Sequence, residues 1–107
     1  MTLSSPVFSI VIPTYNRAHL ISKTIESVLH QSFEDFEVLV IDDGSSDNTE
    51  EVVSSYSDRR LHYLRKENGE RGAARNFGFA RSKGVAVSER DAFTASLHRV
   101  TTPLRLA

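Results

Sequence analysis

The chain has 107 residues, a formal net charge of −1 and 25% charged residues, which fits one soluble globular domain at most. This charge balance gives no electrostatic reason to expect nucleic acid or an anionic membrane as a partner. The sequence contains no cysteine, which excludes disulfides and thiolate metal sites. It has no apolar run long enough to span a bilayer, and residues 1–6 lack a signal-peptide pattern, so we expect a cytoplasmic protein.

Three strands are predicted along the chain. Residues 7–12 and 36–41 are short, β-branched and largely apolar, which is typical of strands covered on both faces of a parallel sheet. A third strand is predicted over 61–64, although four basic residues flank it.

A predicted helix follows each strand. Asn16 is expected to cap the first helix, which extends to about Ser32. Asp47 and Glu50 form a capping box for the second. Ala73, Phe77 and Ala80 give the third a narrow apolar stripe, and Gly84 suits its end.

Strand–helix alternation repeated three times predicts an α/β fold, a Rossmann-like parallel sheet with alternating helices. Right-handed crossovers bring the carboxyl ends of all strands to one edge, where open α/β sheets bind ligands. Residues 13–17, 42–47 and 66–72 are therefore expected to meet there as three loops.

The second of these loops begins with two adjacent carboxylates, Asp42 and Asp43. Placed directly after a buried strand, they are costly unless they meet a hydrogen-bond donor, a cation or solvent. Asp43 could accept hydrogen bonds from a base or ribose, as acidic residues at strand ends do in dinucleotide folds. Alternatively, either carboxylate caps the following turn, because Asp-Gly pairs favour turns.

The first loop offers an aromatic ring and hydroxyl groups at a strand end. Tyr15 could stack on a base, and Thr14 could hydrogen-bond to it. The alternative interpretation is that Pro13 only ends the strand and Asn16 only caps the helix.

The third loop is rich in glycine and charge. Arg71 and Arg75 are one helical turn apart and could face an anion at the edge of the sheet. The alternative is a solvated charged loop. Neither the Rossmann dinucleotide fingerprint nor a P-loop occurs in the sequence.

Taken together, four segments resemble glycosyltransferase family 2 in their order and spacing: residues 8–17, 27–37, 40–47 and 72–76. The resemblance covers residues 7–84. It implies the N-terminal half of a GT-A fold, in enzymes that transfer a sugar from a nucleotide-sugar donor to an acceptor hydroxyl, usually with a divalent metal, Mg²⁺ or Mn²⁺.

The resemblance also implies roles for individual residues. Those matching Pro13, Thr14 and Tyr15 line the nucleotide pocket of the family. The residue matching Asp43 contacts the base, with Asp42 beside it, and basic residues in the region of Arg71 and Arg75 lie near the diphosphate. It implies no catalytic or metal-binding residue within this chain.

The pattern stops matching after Gly84, where the family continues with a strand ending in an Asp-x-Asp motif that holds the metal. Residues 85–107 contain no Asp-x-Asp, and we expect them to be a tail from a truncated or frameshifted gene, with a helix over 88–100. The sequence is therefore divided into a flexible segment (1–6), a partial domain (7–84) and a non-family tail (85–107). We expect a three-stranded sheet without its fourth strand, inactive alone.

Two other functions compete with a glycosyltransferase fragment. A nucleotide-binding or interaction fragment without catalysis would share the same pocket residues. A receiver-like regulatory domain is disfavoured, because the carboxylate pair follows the second strand and no matching Lys and Ser or Thr strand ends occur.

Overall fold

The computed structural model describes residues 6–30, 35–70 and 72–88. Within them strands and helices alternate in chain order: β1 Phe8–Thr14, α1 Ala18–Leu29, β2 Phe36–Asp42, α2 Thr49–Ser54, β3 Leu61–Arg65, α3 Ala73–Arg81 and β4 Val85–Ser88. The predicted α/β class is confirmed. None of the described helices is long and apolar enough to cross a lipid bilayer.

The strands form a parallel sheet in the order β3-β2-β1-β4. The chain moves outward from β1 through β2 to β3, and α3 then carries it back to the other side of β1. The strand order therefore reverses between β1 and β4. In open α/β sheets such a switch point, at the carboxyl ends of the strands, is where ligands bind.

The two central strands are buried on both faces, as their continuous apolar sequences predict. One face packs against α1 and α2 through residues that include Phe8, Ile10 and Val38. The other face packs against α3 through Val11, Leu39, Ile41 and Ala74. Side chains alternate between these faces along each strand, and a buried aliphatic or Phe side chain contributes roughly 1.5–3 kcal/mol.

The fourth strand corrects the expected three-stranded sheet. Val85–Ser88 pairs in parallel with β1, where Phe8 lies opposite Val85. This short segment with two valines supplies hydrogen-bonding partners to an edge of β1 that would otherwise lie open. The sequence places Val85–Ser88 in the non-family tail because no acidic motif follows it. Strand formation, however, depends on backbone pairing and not on that motif.

Other predictions about the ends of the chain lie largely outside the described residues. The helix predicted over 88–100 falls there, apart from Ser88, which ends β4. So does the segment 1–6, apart from Pro6. The division of the chain at residue 84 stays a prediction.

The helix ends differ from those predicted. α1 ends at Leu29, before Ser32, and Arg17 occupies its N-cap position in place of Asn16. α3 ends at Arg81, before Gly84. Gly84 instead passes so close to the backbone of residues 6–7 that a Cβ atom there would collide with it.

Candidate functional site

An open cleft of about 260 Å³ lies at the carboxyl ends of β1 and β2. It is lined by the first loop, by one carboxylate of the second, and by the third loop with the start of α3: Pro13, Thr14, Tyr15, Arg17, Asp43, Glu70, Gly72, Ala74 and Arg75. The prediction that three loops meet at this edge is confirmed. The cause is the parallel topology, which turns every strand end the same way.

Thr14 ends β1, is one of the residues that line this cleft, and carries a buried hydroxyl group. The residue is 5% exposed, and within the described part of the chain its Oγ1 has no hydrogen-bond partner. Its carbonyl oxygen accepts a hydrogen bond from the Asp43 N–H at 2.9 Å, which joins the first two loops. A buried polar group without a partner costs about 1–3 kcal/mol, so the Thr14 hydroxyl is suited to a polar ligand atom.

Exposed side chains form the rim of the cleft. Tyr15 is 47% exposed, which leaves its ring available for stacking. Arg17 and Arg75 are also exposed, and Arg75 lies in the first turn of α3. Arg71, the other half of the predicted basic pair, lies outside the described residues.

Asp43 reaches the cleft with its charge already compensated. Its Oδ1 lies 2.7 Å from the Lys66 Nζ and accepts a hydrogen bond from the Gly69 N–H at 3.2 Å. Among the described residues, its Oδ2 has only a long contact of 3.4 Å with the Asn68 side-chain amide. Oδ2 therefore retains capacity to accept a hydrogen bond from a ligand.

Asp42 is fully buried and does not line the cleft. Its Oδ1 accepts a hydrogen bond from the Ser45 N–H at 2.8 Å, as in an Asx turn. Its Oδ2 accepts one from the Tyr63 hydroxyl and lies 3.4 Å from the Arg65 guanidinium. Burial, together with the bond to Asp42, raises the pKa of Tyr63 to about 12. Turn capping thus fits Asp42, whereas Asp43 faces the ligand cleft.

Sequence reasoning missed the residues that hold the second loop in place. Lys66 neutralises Asp43, and Arg65 donates a hydrogen bond to the Ser45 carbonyl oxygen at 2.8 Å. Asn68 donates to the Asp43 carbonyl oxygen at 3.0 Å. The sequence signal for these contacts was the basic pair Arg65 and Lys66 at the end of β3. This strand neighbours β2, whose end is followed by the second carboxylate, Asp43.

The described carboxylates do not fit a divalent metal. A cation of this kind needs several free oxygen ligands, but Asp42 is committed to protein donors and Asp43 to Lys66. Across residues 6–30, 35–70 and 72–88 no three His, Asp or Glu side chains are grouped to hold an ion.

The family model for glycosyl transferase family 2 matches residues 9–92, which include most of β1 and every later element. The chain belongs to this family. The resemblance that the four sequence segments indicated is confirmed.

Among sequence relatives, the chain is 50% identical over 80 residues to validoxylamine A glucosyltransferase of Streptomyces hygroscopicus subsp. jinggangensis. That similarity covers 71% of this chain and 19% of the relative. The chain spans between 12% and 28% of the length of the curated relatives it matches.

Among solved structures, the chain is similar to S. aureus TarS in complex with UDP-GlcNAc, with a TM-score of 0.68 and 32% identity over 77% of this chain and 26% of that one. It is also similar to the mannosyltransferase PcManGT of Pyrobaculum calidifontis in complex with GDP-Man and Mn²⁺. There the TM-score is 0.65 and the identity 26%, over 74% of this chain and 25% of the other. These likenesses confirm the predicted GT-A type of α/β fold.

Proposed function

We propose that the cleft binds the nucleotide portion of a nucleotide-sugar donor, as part of a glycosyltransferase that moves the sugar to an acceptor hydroxyl. The observation that carries this proposal is the buried Thr14 hydroxyl, which has no hydrogen-bond partner among the described residues and lies beside the cleft at the switch point of the sheet. Support comes from the solved relatives, whose complexes contain UDP-GlcNAc and GDP-Man.

Each lining residue has a role in this proposal. The Asp43 Oδ2 accepts a hydrogen bond from an N–H of the base or from a ribose hydroxyl, and the Thr14 hydroxyl hydrogen-bonds beside it. Tyr15 packs its ring on the base, while Pro13 forms part of the wall of the cleft. Arg75, an exposed residue that lines the cleft, pairs with the diphosphate. Arg71 lies outside the described residues and is proposed for the same role from the sequence alone. Asp42 does not contact the nucleotide, but it holds the second loop in place by accepting a hydrogen bond from the Ser45 N–H.

Nucleotide binding without sugar transfer is the second candidate for the 107-residue chain. The compensated charge of Asp43 favours it, because a carboxylate paired with lysine is a poor metal ligand and a poor general base. The 107 residues also contain no Asp-x-Asp motif.

NMR titration of the chain with uridine and guanosine nucleotides tests the proposal. A few neutral hydrogen bonds contribute about 0.5–1.5 kcal/mol each, so we expect binding near the millimolar range, with shifts at Tyr15 and Asp43. Asp43→Ala should abolish these shifts. His19→Ala, on the exposed side of α1, is the matched control and should bind like the parent.

Two results would contradict this assignment. One is a folded parent chain whose Tyr15 and Asp43 resonances do not move at nucleotide concentrations above the millimolar range. The other is an Asp43→Ala variant that binds as tightly as the parent. If nucleosides bind as tightly as nucleoside diphosphates, the result would support recognition of the base. It would also show that Arg75 does not bind the diphosphate.

A further inference from the structure

The first two loops of the cleft are joined by reciprocal hydrogen bonds outside the cleft itself. The Asn16 Oδ1 accepts from the backbone N–H groups of Ser46 at 2.8 Å and Asp47 at 3.3 Å. The Asn16 N–H donates to the Ser45 Oγ at 2.8 Å. In return, the Asp47 Oδ2 accepts from the N–H of Ala18, the first residue of α1, at 3.1 Å. We call Asn16 and Asp47, with these contacts, the loop clasp.

Asn16 holds a backbone conformation that few side chains adopt. Its φ of 52° is the one positive φ at a non-glycine position in the described part of the chain. Left-handed backbone costs roughly 1–2 kcal/mol for most residues, and asparagine tolerates it because its short side chain bonds locally. Asn16 lies between Tyr15 and Arg17, which both line the cleft. The backbone at Asn16 thus sets the direction of both.

Asp47 ties the starts of two helices to the same point. Its Oδ1 accepts hydrogen bonds from the Thr49 N–H at 3.1 Å and from the Thr49 hydroxyl. Its Oδ2 accepts one from the Ala18 N–H. The hydrogen bond from the Thr49 hydroxyl, with the backbone donors, lowers the pKa of Asp47, which keeps it charged. A fixed anion at the amino ends of α1 and α2 is also favoured by the helix dipoles.

We infer that Asn16 and Asp47 are positioning residues for the nucleotide cleft, since they hold Tyr15 and Thr14 of the first loop against Asp43 of the second. The inference rests on the proposed nucleotide-binding function. Neither residue is among those that line the cleft. Their hydrogen bonds are exposed or part-buried, and neither residue belongs to the apolar clusters of the core. Their loss should therefore disturb the cleft more than the fold.

The test uses the full chain with UDP and GDP as probes. Asn16→Ala removes the acceptor and disfavours the positive φ, so we expect a five- to tenfold loss of affinity, since each lost hydrogen bond is worth about 0.5–1.5 kcal/mol. Asn16→Gly also removes the acceptor but favours the positive φ. The logarithm of its nucleotide affinity should therefore fall about half as far as that of Asn16→Ala. Asn48→Ala, an exposed asparagine beside the clasp whose side chain makes no cap, is the control and should bind like the parent.

A charge swap separates positioning from a general loss of stability. Asn16→Asp alone places a second carboxylate at the junction and should weaken binding. The double variant Asn16→Asp, Asp47→Asn restores one carboxylate and one amide in exchanged positions, and should recover affinity to within about twofold of the parent. A structural defect unrelated to the clasp would not be rescued by this exchange.

Amide hydrogen exchange tests the clasp without any nucleotide. The Asp43 N–H donates to the Thr14 carbonyl oxygen, so its exchange reports how firmly the loops are joined. We expect Asn16→Ala to accelerate it at least tenfold while the central amides of β2 stay protected. Unchanged Asp43 exchange, or unchanged nucleotide affinity in the folded Asn16→Ala and Asn16→Gly chains, would overturn the inference. If the parent binds neither nucleotide but exchange responds as expected, the proposed function fails and the clasp stands.

Discussion

At the scale of single residues, Asp42 and Asp43 are identical neighbours with different environments. Asp42 is the last residue of β2 and remains within the sheet, where its oxygens meet the Ser45 backbone and the Tyr63 hydroxyl. Asp43 is the first residue beyond the strand and reaches the cleft, where Lys66 balances its charge. Because successive side chains on a strand point to opposite sides, a shift of one position separates a structural carboxylate from one that is open to a ligand.

Thr14→Val should separate binding from stability. The substitution removes a buried hydroxyl that has no partner among the described residues, and it keeps the side-chain shape. We expect the free energy of unfolding to stay the same or rise by up to about 1 kcal/mol, because no protein hydrogen bond is lost. Nucleotide affinity should fall three- to tenfold. Denaturant unfolding and NMR titration measure the two effects.

The same substitution at Thr49 is the matched control. Thr49 is equally buried, but its hydroxyl donates to Asp47, so Thr49→Val should lower the free energy of unfolding by about 1–2 kcal/mol. A Thr14→Val chain that is destabilised by as much as Thr49→Val would show that the Thr14 hydroxyl has a structural partner, and would remove the observation on which the proposed function depends.

At the scale of elements, α3 is packed through its smallest residues. Ala74 and Gly78 are buried against β1 and β2, whereas Ala80, part of the predicted stripe, is exposed and Phe77 is half-buried. The stripe was misplaced because apolar periodicity weights large side chains, and glycine carries no apolar signal. The close approach of this helix brings its amino end, with Gly72 and Arg75, to the cleft.

Gly78→Ala should destabilise the chain although alanine is the better helix former. A Cβ atom at this position would lie 2.5 Å from the Val11 Cγ1 and 3.0 Å from the Ile41 Cγ1. Overpacking of this kind costs about 1–3 kcal/mol, which exceeds the gain of about 1 kcal/mol in helix propensity. The midpoint of urea denaturation should therefore fall.

Asn76→Ala on the exposed side of the same helix provides the comparison. It should leave the midpoint unchanged or raise it slightly, because only helix propensity changes there. If Gly78→Ala raises the midpoint to the same extent, α3 packs less closely on the sheet than the distances indicate.

At the scale of the whole molecule, the 107 residues include the cleft that we propose binds the donor nucleotide but contain no Asp-x-Asp motif. We expect the purified chain to transfer no sugar from UDP-GlcNAc or GDP-mannose with Mn²⁺ or Mg²⁺ present. The leaving nucleotide gains negative charge during transfer, and without a bridging cation little in the described cleft stabilises that charge.

Release of UDP or GDP, measured by coupled assay against a no-protein control, checks this expectation. A variant with Asp43→Ala distinguishes activity of this cleft from that of a contaminating enzyme. Nucleotide release above background that disappears in Asp43→Ala would show that the chain is catalytic, and would favour the transferase over the binding candidate.

The sequence by itself determined the class of fold and the family. Continuous apolar strands alternating with helices required a covered parallel sheet, and that topology brought the three loops to one edge. The sequence thus predicts that Thr14, Tyr15, Asp43 and Arg75 meet at one edge of the sheet, and all four line the cleft. These inferences succeeded because they depend on local patterns and on topology, both of which are encoded along the chain.

Only the tertiary structure decided which polar groups are partners. Asn16 and Asp47 were predicted as local helix caps. Asp47 does accept from Thr49 at the start of α2, but it also bonds to the start of α1, and Asn16 bonds to the second loop. The neutralisation of Asp43 by Lys66, the burial of Asp42 and the pairing of β4 with β1 also join segments far apart in sequence. A side chain with several possible partners takes the donors that folding places within hydrogen-bonding distance, and sequence spacing does not contain that distance.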